Sequence, residues 1–145
     1  MIMEHLKLDN QLCFPIYAAS RLITSVYRPM LEELSLTYPQ YLVLLVLWEK
    51  ESATVKELGE KLWLDSGTLT PLLKRMQEKE LVLRTRDKAD ERVVNVTLTE
   101  AGKQLKNKAS DIPNQLISCM NMEIEQAVQL RNQLQALLTN HSNPI

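Results

Sequence analysis

The stretch TVKELGEKLWLDSGTLTPLLKRMQEKELVLRTRDKADERVVNVTLTE, residues 54–100, decides the fold of this chain. Thr54 followed by Glu57 has the spacing of a capping box, which opens a first helix. An apolar face of that helix is formed by Leu58, Leu62 and Trp63. The chain then turns, and Asp65 and Ser66 are both favourable N-cap residues for a second helix. The stretch therefore begins with two short helices in succession.

The second helix orders its polar residues in a way that suits DNA reading. Its apolar residues are spaced to be buried: Leu69, Leu72, Leu73 and Met76. On its exposed face small hydroxyls come first and cations follow: Ser66, Thr68, Thr70, Lys74 and Arg75. A helix that enters the major groove by its N-terminal end brings such hydroxyls to base edges or phosphates and such cations to the backbone. An ordinary amphipathic helix is the alternative.

A β-hairpin is predicted after the second helix. Residues 81–86 and 93–98 have the composition of strands, and the polar sequence DKADER between them has that of a turn. Four cations cluster on this hairpin: Arg84, Arg86, Lys88 and Arg92. An arginine at its tip can enter a minor groove, where the negative potential is strongest, although any one of these cations could simply be solvated. Helix pair and hairpin together predict a mainly α, winged helix-turn-helix protein that binds DNA.

Composition limits the other possibilities. The 145 residues, 45% of them hydrophobic, suit a single domain with a proper core. The formal net charge is −1, so any contact with DNA has to be local and not the result of an overall basic surface. No apolar run approaches a membrane span, and the N-terminus has neither the basic nor the apolar region of a signal peptide. We therefore expect a cytoplasmic protein with no membrane partner.

Metal and cofactor sites are not expected. The two histidines, His5 and His141, lie near opposite ends, and three glycines are too few for a phosphate-binding loop. The cysteines, Cys13 and Cys119, are far apart and do not suggest a disulfide framework. They are either buried apolar residues or redox-active thiols, and an enzymatic site is not expected.

The rest of the chain is predicted to be helical. A long apolar-striped helix should begin near Asp9, with a late start or a kink at Pro15, and stop near Pro29. A short helix at 31–36 follows, and then a helix at 40–50 that is nearly all apolar and is therefore expected at the centre of the core. Residues 52–55 lead into the stretch 54–100, which we call the DNA-binding head. After the hairpin, one helix should run from Thr99 toward Pro113, and a last one should cover 123–138.

The terminal helices have apolar faces that the DNA-binding head cannot cover. Pairing with a second copy would bury them, and a two-fold dimer would place two recognition helices about 10 base pairs apart on a palindromic operator. We therefore predict a homodimer of a single domain, residues 1–145. Its dimerisation helices would span about 9–35 and 100–140, and its winged-helix region about 54–99.

Cys13 lies on an unusual polar stripe of the first helix. A thiol in the first turn feels the positive end of the helix dipole, and phenol hydroxyls can donate to a thiolate, so a nearby tyrosine favours the reactive form. Tyr17 is one turn away, whereas Tyr27 is about 21 Å along an unbroken helix. In an antiparallel two-fold pairing Tyr27 could instead reach the partner's thiol. A buried, inert cysteine is the alternative.

With these residues in view, the chain resembles the MarR family of winged-helix repressors, and within it the OhrR branch that senses organic hydroperoxides. The family-level motifs are LDSGTLTPLLKRM at 64–76, DER at 90–92 and LTEAG at 98–102. The branch-level motifs are DNQLCF at 9–14, LTYPQYLVLLVLWE at 36–49, Tyr17 and Tyr27. The match covers nearly the whole chain.

The resemblance implies roles for individual residues. Cys13 would be oxidised by peroxide, with Tyr17 and Tyr27 hydrogen-bonded to its sulfur, the latter across the dimer. Arg92 would enter the minor groove and be held by Asp90. Some members act with one cysteine, whereas others form an intersubunit disulfide through a second cysteine in the C-terminal region. The position of Cys119 fits the second type, and a passive cysteine is the alternative.

The resulting hypothesis is a homodimeric repressor that leaves a palindromic operator when an organic hydroperoxide oxidises Cys13. A regulator that responds to a small aromatic ligand or to a general redox signal is the first alternative. A thiol peroxidase is the second. It fits poorly because the chain lacks the strand and helix alternation of a thioredoxin-like enzyme and has Asn10, not threonine, three residues before Cys13.

Overall fold

The computed structural model describes residues 3–141, in which helices surround one small antiparallel sheet. Two short 3-10 turns, Glu4–Leu6 and Leu8–Asn10, precede the first helix. The elements that follow are α1 Cys13–Glu32, α2 Tyr38–Lys50, β1 Ser52–Thr54, α3 Val55–Leu62, α4 Ser66–Glu78, β2 Val82–Arg86, β3 Val94–Leu98, α5 Glu100–Ala109, α6 Ile112–Cys119 and α7 Ile124–Thr139. The predicted winged helix-turn-helix is confirmed, with α4 as its second helix and β2 and β3 as its wing.

The helices of the head begin where their capping residues predict. The Thr54 backbone N–H donates to Glu57 Oε2 at 2.7 Å, and the Glu57 N–H donates back to Thr54 Oγ1 at 3.1 Å, which completes the capping box of α3. Asp65 Oδ1 accepts from the Thr68 N–H at 3.0 Å and so caps α4. Thr99 opens α5 in the same manner. These predicted starts are confirmed.

Helix α2 lies at the centre of the core, as its composition predicted. Its buried residues are Gln40, Tyr41, Val43, Leu44, Val46 and Leu47. Helix α4 packs against it and buries the four predicted apolar residues, Leu69, Leu72, Leu73 and Met76. Because these four residues share one face, the opposite face of α4 is left to solvent.

The sheet contains a strand that the sequence did not reveal. Residues 52–54 were expected only to lead into the head, but β1 pairs antiparallel with β3, in the order β1-β3-β2. Ala53 of β1 lies opposite Val96 of β3, and both are buried. A three-residue strand has too little alternation to be recognised, because its stability comes from its partner strand and from burial.

The predicted boundaries of the first helix need correction at its end. Helix α1 starts late, at Cys13, so Pro15 falls in its first turn, as one of the two expected possibilities. It does not stop near Pro29 but continues to Glu32. The carbonyl that loses its hydrogen-bond partner belongs to Ser25, an exposed residue, so water can replace the missing donor.

The predicted short helix at 31–36 is also wrong. Leu31 belongs to the last turns of α1, and the chain then reverses in a Schellman turn. In this turn the Leu36 N–H donates to Leu31 O, the Ser35 N–H donates to Glu32 O, both at 2.9 Å, and Ser35 has a left-handed φ of 56°. Leu31 and Leu36 are both buried, in the two positions of a Schellman turn that are commonly apolar.

The helix predicted to run from Thr99 toward Pro113 is in fact two helices. Helix α5 ends at Ala109, and α6 begins at Ile112 with Pro113 in its first turn. Proline is tolerated there because the first backbone N–H groups of a helix have no intrahelical acceptor, whereas it would break the interior of a longer helix.

The terminal helices present much apolar surface. Within the described residues 3–141, every side chain of α7 is exposed except the half-buried Ala127. Large apolar side chains exposed on α1 and α7 are Phe14, Ile16, Tyr17, Leu22, Ile124, Val128, Leu130, Leu134, Leu137 and Leu138. No helix in this part of the chain is both long and apolar enough to span a bilayer. The apolar side chains of α1 and α7 thus form an extended exposed surface.

Candidate nucleic-acid interface and cysteine site

The exposed face of α4 carries the hydroxyls and cations predicted to read DNA. Ser66, Thr68, Thr70, Lys74 and Arg75 are all exposed. The Thr70 hydroxyl donates to the Ser66 carbonyl at 2.8 Å, so its oxygen remains available as an acceptor. Hydrogen bonds from the side chain and backbone of Thr68 lower the pKa of Asp65, which keeps this cap charged.

The turn of the wing is organised by Asp87, a residue that the sequence reasoning missed. Its Oδ1 accepts from the Ala89 and Asp90 N–H groups at 2.8 and 3.2 Å, and its Oδ2 accepts from Asn95 Nδ2 at 3.3 Å. The two backbone donors are the main reason that the pKa of Asp87 is lowered. An aspartate at the start of a polar turn was the available signal, because its side chain can bond the backbone two residues on.

Asp90 and Arg92 form an ion pair within this turn. Arg92 Nε lies 3.0 Å from Asp90 Oδ1, and Arg92 Nη2 lies 3.2 Å from Oδ2. The Arg92 N–H also donates to Oδ1 at 3.1 Å. Hydrogen bonds from the side chain and then the backbone of Arg92 lower the pKa of Asp90. The guanidinium is thus oriented while its side chain remains 90% exposed.

The other wing cations differ in their freedom. Gln77 Oε1 accepts from both the backbone N–H and the Nε of Arg84, at 3.0 and 3.3 Å, which ties β2 to the end of α4. Arg86 Nη1 donates to the Glu91 carbonyl at 2.9 Å across the wing. Lys88, in the turn itself, is exposed. Arg84 and Arg86 therefore also brace the wing, a use that the sequence did not suggest.

Cys13 is the first residue of α1, and its side chain is exposed. Tyr17 follows one turn later, about 6 Å along the helix axis, and is also exposed. Its hydroxyl accepts from Arg21 Nη1 at 3.2 Å, and the Arg21 guanidinium carbon lies 5.5 Å from the centre of its ring. The thiol is thus placed where a reagent in solution can reach it.

Tyr27 belongs to a separate aromatic cluster. Its ring centre lies 4.9 Å from that of Tyr38 and 5.7 Å from that of Tyr41, both on α2. Burial, and secondarily its two tyrosine neighbours, raise the pKa of Tyr27 to about 12, so it remains a phenol at neutral pH. Since α1 is continuous from Cys13 to Tyr27, the two residues stand about 21 Å apart within one chain. Tyr38 and Tyr41 were read from the sequence only as helix residues.

Cys119 is the last residue of α6 and is exposed. Helix α6 packs against α1, the helix that begins at Cys13. After Cys119 the chain turns through Asn121, which has a left-handed φ of 52°, into α7. The second thiol therefore lies at a bend between the two C-terminal helices.

This fold, with an exposed polar recognition helix and an ordered arginine on its wing, defines a DNA-binding winged-helix regulator. Residues 25–109 match the family described as transcriptional regulator SarA/Rot. The chain belongs to this family of transcriptional regulators, and the resemblance to OhrR-type regulators is confirmed by a relative. The organic hydroperoxide resistance transcriptional regulator of Bacillus subtilis (strain 168) is 53% identical over 93% of this chain and 92% of its own length.

Solved structures agree with this assignment. Reduced AbfR bound to DNA is 36% identical, covers 97% of this chain and 98% of its own, and superposes with a TM-score of 0.77. The disulfide form of AbfR is 38% identical, covers 93% and 95%, and superposes with a TM-score of 0.65. The chain is thus similar to a regulator known in a reduced DNA-bound form and in a disulfide form.

Proposed function

We propose that this protein is a transcriptional repressor that is released from its operator when an organic hydroperoxide oxidises Cys13. The observation that carries the proposal is the exposed thiol at the first position of α1, in a chain that also carries a DNA-reading head. The hydroperoxide resistance regulator of Bacillus subtilis and the DNA-bound AbfR structure support it.

The chemistry begins with the Cys13 thiolate. Its sulfur attacks the terminal oxygen of the hydroperoxide, the O–O bond breaks, and the alkoxide leaves and takes up a proton to become the alcohol. The sulfur is oxidised by two electrons to a sulfenic acid. If the Cys119 thiol then attacks this sulfur, a disulfide forms and water leaves. The disulfide form of AbfR supports this second step.

The functional unit is proposed to be a homodimer. The unburied apolar stripes of α1 and α7 provide a surface that a second copy would cover. Tyr27 and Cys13 cannot meet within one chain, but an antiparallel two-fold pairing would bring Tyr27 of one chain to Cys13 of the other. As a neutral phenol, Tyr27 can donate a hydrogen bond to a thiolate. Two recognition helices related in this way would read a palindromic operator.

The proposal places the DNA contacts on two surfaces. The hydroxyls of Ser66, Thr68 and Thr70 would meet base edges or phosphates in the major groove, with Lys74 and Arg75 on the backbone. Arg92 would enter the adjacent minor groove from the wing. Arg84 and Arg86 would contribute positive charge near the phosphates while bracing the wing.

A gel-shift titration tests the function directly. The reduced protein should bind the DNA upstream of its own gene, and about one equivalent of organic hydroperoxide per Cys13 should release it. Hydrogen peroxide serves as the comparison oxidant. Binding that is unaffected by either peroxide would reject the sensor and favour a ligand-responsive regulator. A cavity of about 460 Å³ lined by Leu34 and Leu105 is one space that could take such a ligand.

A turnover assay separates the sensor from a thiol peroxidase. The relatives are named as transcriptional regulators, which makes an enzyme role unexpected. Without added reductant, a sensor should consume about one hydroperoxide per Cys13. The assay is then repeated with a thiol reductant in excess. Sustained consumption of hydroperoxide that is faster than its reaction with the reductant alone would favour the enzyme.

A further inference from the structure

Helices α1 and α4 end in the same kind of turn, and the two turns lie next to each other. Helix α4 ends as α1 does, with the Glu80 N–H donating to Gln77 O at 2.9 Å, the Leu81 N–H donating to Met76 O at 3.0 Å, and Glu80 in a left-handed conformation with φ 59°. This is again a Schellman turn. The recognition helix and the helix that carries Cys13 are therefore closed by equivalent turns, and those turns face each other.

Lys79 joins the two turns. It is the C-cap of α4, and its Nζ donates to the carbonyl of Ser35, the left-handed residue at the end of α1, at 2.5 Å. Nζ also donates to Gln40 Oε1 at 3.2 Å, although the two residues are 39 positions apart. A charged donor makes stronger hydrogen bonds than a neutral one, so one ammonium fixes the end of α4 to the start of α2 and the end of α1.

The second acceptor connects this contact to the aromatic cluster. Gln40 is 2% exposed, and its Oε1 also accepts from the Thr37 N–H at 3.1 Å, which caps α2. Tyr38, the residue after Thr37, packs its ring against that of Tyr27 in α1. A continuous series of contacts therefore runs from Tyr27 through the capped start of α2 to Lys79.

The turn after α4 is also attached to the C-terminal helices. The Thr99 hydroxyl donates to the Glu80 carbonyl at 2.6 Å, and the Thr99 N–H donates to the Leu81 carbonyl at 3.1 Å. Gly102 lets α5 approach this turn, because a Cβ at that position would lie 2.2 Å from the Leu81 carbonyl oxygen. The end of the recognition helix is thus attached on one side to α5 and on the other, through the hydrogen bonds of Lys79, to the end of α1 and the start of α2.

We propose that Lys79 is the positioning residue that couples the state of the cysteine site to the orientation of the recognition helix. This inference rests on the proposed function. When the surroundings of Tyr27 change on oxidation, the α1–α2 turn shifts, and the Lys79 hydrogen bonds transmit that shift to the C-terminal end of α4. Thr99 attaches the same end of α4 to α5. Helix α4 is therefore held at two points and changes its orientation when the attachment through Lys79 moves.

The test is Lys79→Met in the full-length protein, which keeps the length and apolar stem of the side chain and removes its hydrogen bonds. The measured quantity is the ratio of operator Kd after and before oxidation. It should fall by about two- to thirtyfold, the range for residues that carry coupling without touching either ligand. The rate of Cys13 oxidation should equal that of the parent, because Lys79 lies outside the cysteine site.

Lys108→Met is the matched control. Lys108 lines the same cavity as Lys79, and its ammonium has no hydrogen bond or ion pair within residues 3–141. This variant loses the same charge and should keep the parental ratio. An unchanged ratio in Lys79→Met, whether or not its thermal midpoint falls, would show that Lys79 is only structural and would overturn the inference. A parent protein that hydroperoxide does not release would instead reject the proposed function.

Discussion

Arg92 and Asp90 form a two-point ion pair at the tip of the wing, with Nε and Nη2 of the arginine 3.0 and 3.2 Å from the two carboxylate oxygens. The pair is local, since the residues are two positions apart, and it sits on a turn that Asp87 closes with three hydrogen bonds. The arginine is therefore oriented before any DNA is present. Preorganisation of this kind reduces the entropy lost on binding.

Removing the guanidinium should weaken operator binding. Arg92→Ala is expected to cost about 1 to 3 kcal/mol in operator affinity and to reduce the dependence of Kd on salt. Fluorescence anisotropy at several salt concentrations measures both effects. Asp90→Asn is the matched variant, because it keeps the cation but loosens its orientation, and it should cost less. A folded Arg92→Ala protein with parental affinity would exclude the wing tip from binding.

The sensing role of Cys13 predicts a simple phenotype for its serine variant. Cys13→Ser should bind the operator like the parent, because the residue lies outside the head, and should stay bound when organic hydroperoxide is added. Cys119→Ser is the comparison, since it retains the peroxide-reactive thiol. A gel shift with and without organic hydroperoxide measures this. Release of Cys13→Ser by peroxide would place the sensing site elsewhere.

The role of Cys119 can be read from a non-reducing gel. A disulfide needs two Cα atoms within about 7 Å, so bond formation between chains must bring α6 of one chain to the start of α1 in the other. Peroxide-treated parent protein should run as a covalent dimer that reductant returns to monomer, whereas Cys119→Ser should run as a monomer. A covalent dimer in Cys119→Ser would mean that Cys13 pairs with its own copy. If the parent protein forms no covalent dimer, the protein would belong with the one-cysteine sensors.

The raised pKa of Tyr27 predicts a loss of stability in alkali. Unfolded tyrosine ionises near pH 10, whereas folded Tyr27 holds its proton to about pH 12, so above pH 10 the unfolded chain releases a proton that the folded chain retains. The contribution of Tyr27 to the free energy of unfolding should therefore be constant below about pH 9 and fall between pH 10 and 12. Urea unfolding across this range measures the slope. Tyr27→Phe should make the slope shallower, and an unchanged slope would assign the effect to other groups.

The dimer interface can be tested on α7. Leu134→Glu places a charge in the apolar stripe, at a side chain that is 37% exposed in the single chain, and should shift the protein to monomer without unfolding the head. Sedimentation velocity and circular dichroism measure the two properties. Gln135→Glu adds the same charge one residue away and should leave the association unchanged. A dimeric Leu134→Glu protein would place the interface on other helices.

The sequence alone determined the parts of the fold that depend on neighbours along the chain. The capping residues Thr54, Asp65 and Thr99 each bond a backbone N–H three residues later, so their effect is visible in the local pattern. The burial of one face of α4 and the strands of the wing likewise follow from residue periodicity. The winged helix and its polar recognition face could therefore be predicted.

Only the tertiary structure decided where helices end and which distant residues meet. Within residues 3–141, five helices are followed by a left-handed residue that is not glycine: Ser35, Glu51, Trp63, Glu80 and Asn121. The usual glycine signal of a helix end is therefore missing, and Pro29 was taken for the end of α1. The strand β1, the cluster around Tyr27, and the contact of Lys79 with Ser35 depend on segments that are separated in sequence. Such contacts form because packing brings those segments together, and no local pattern records them.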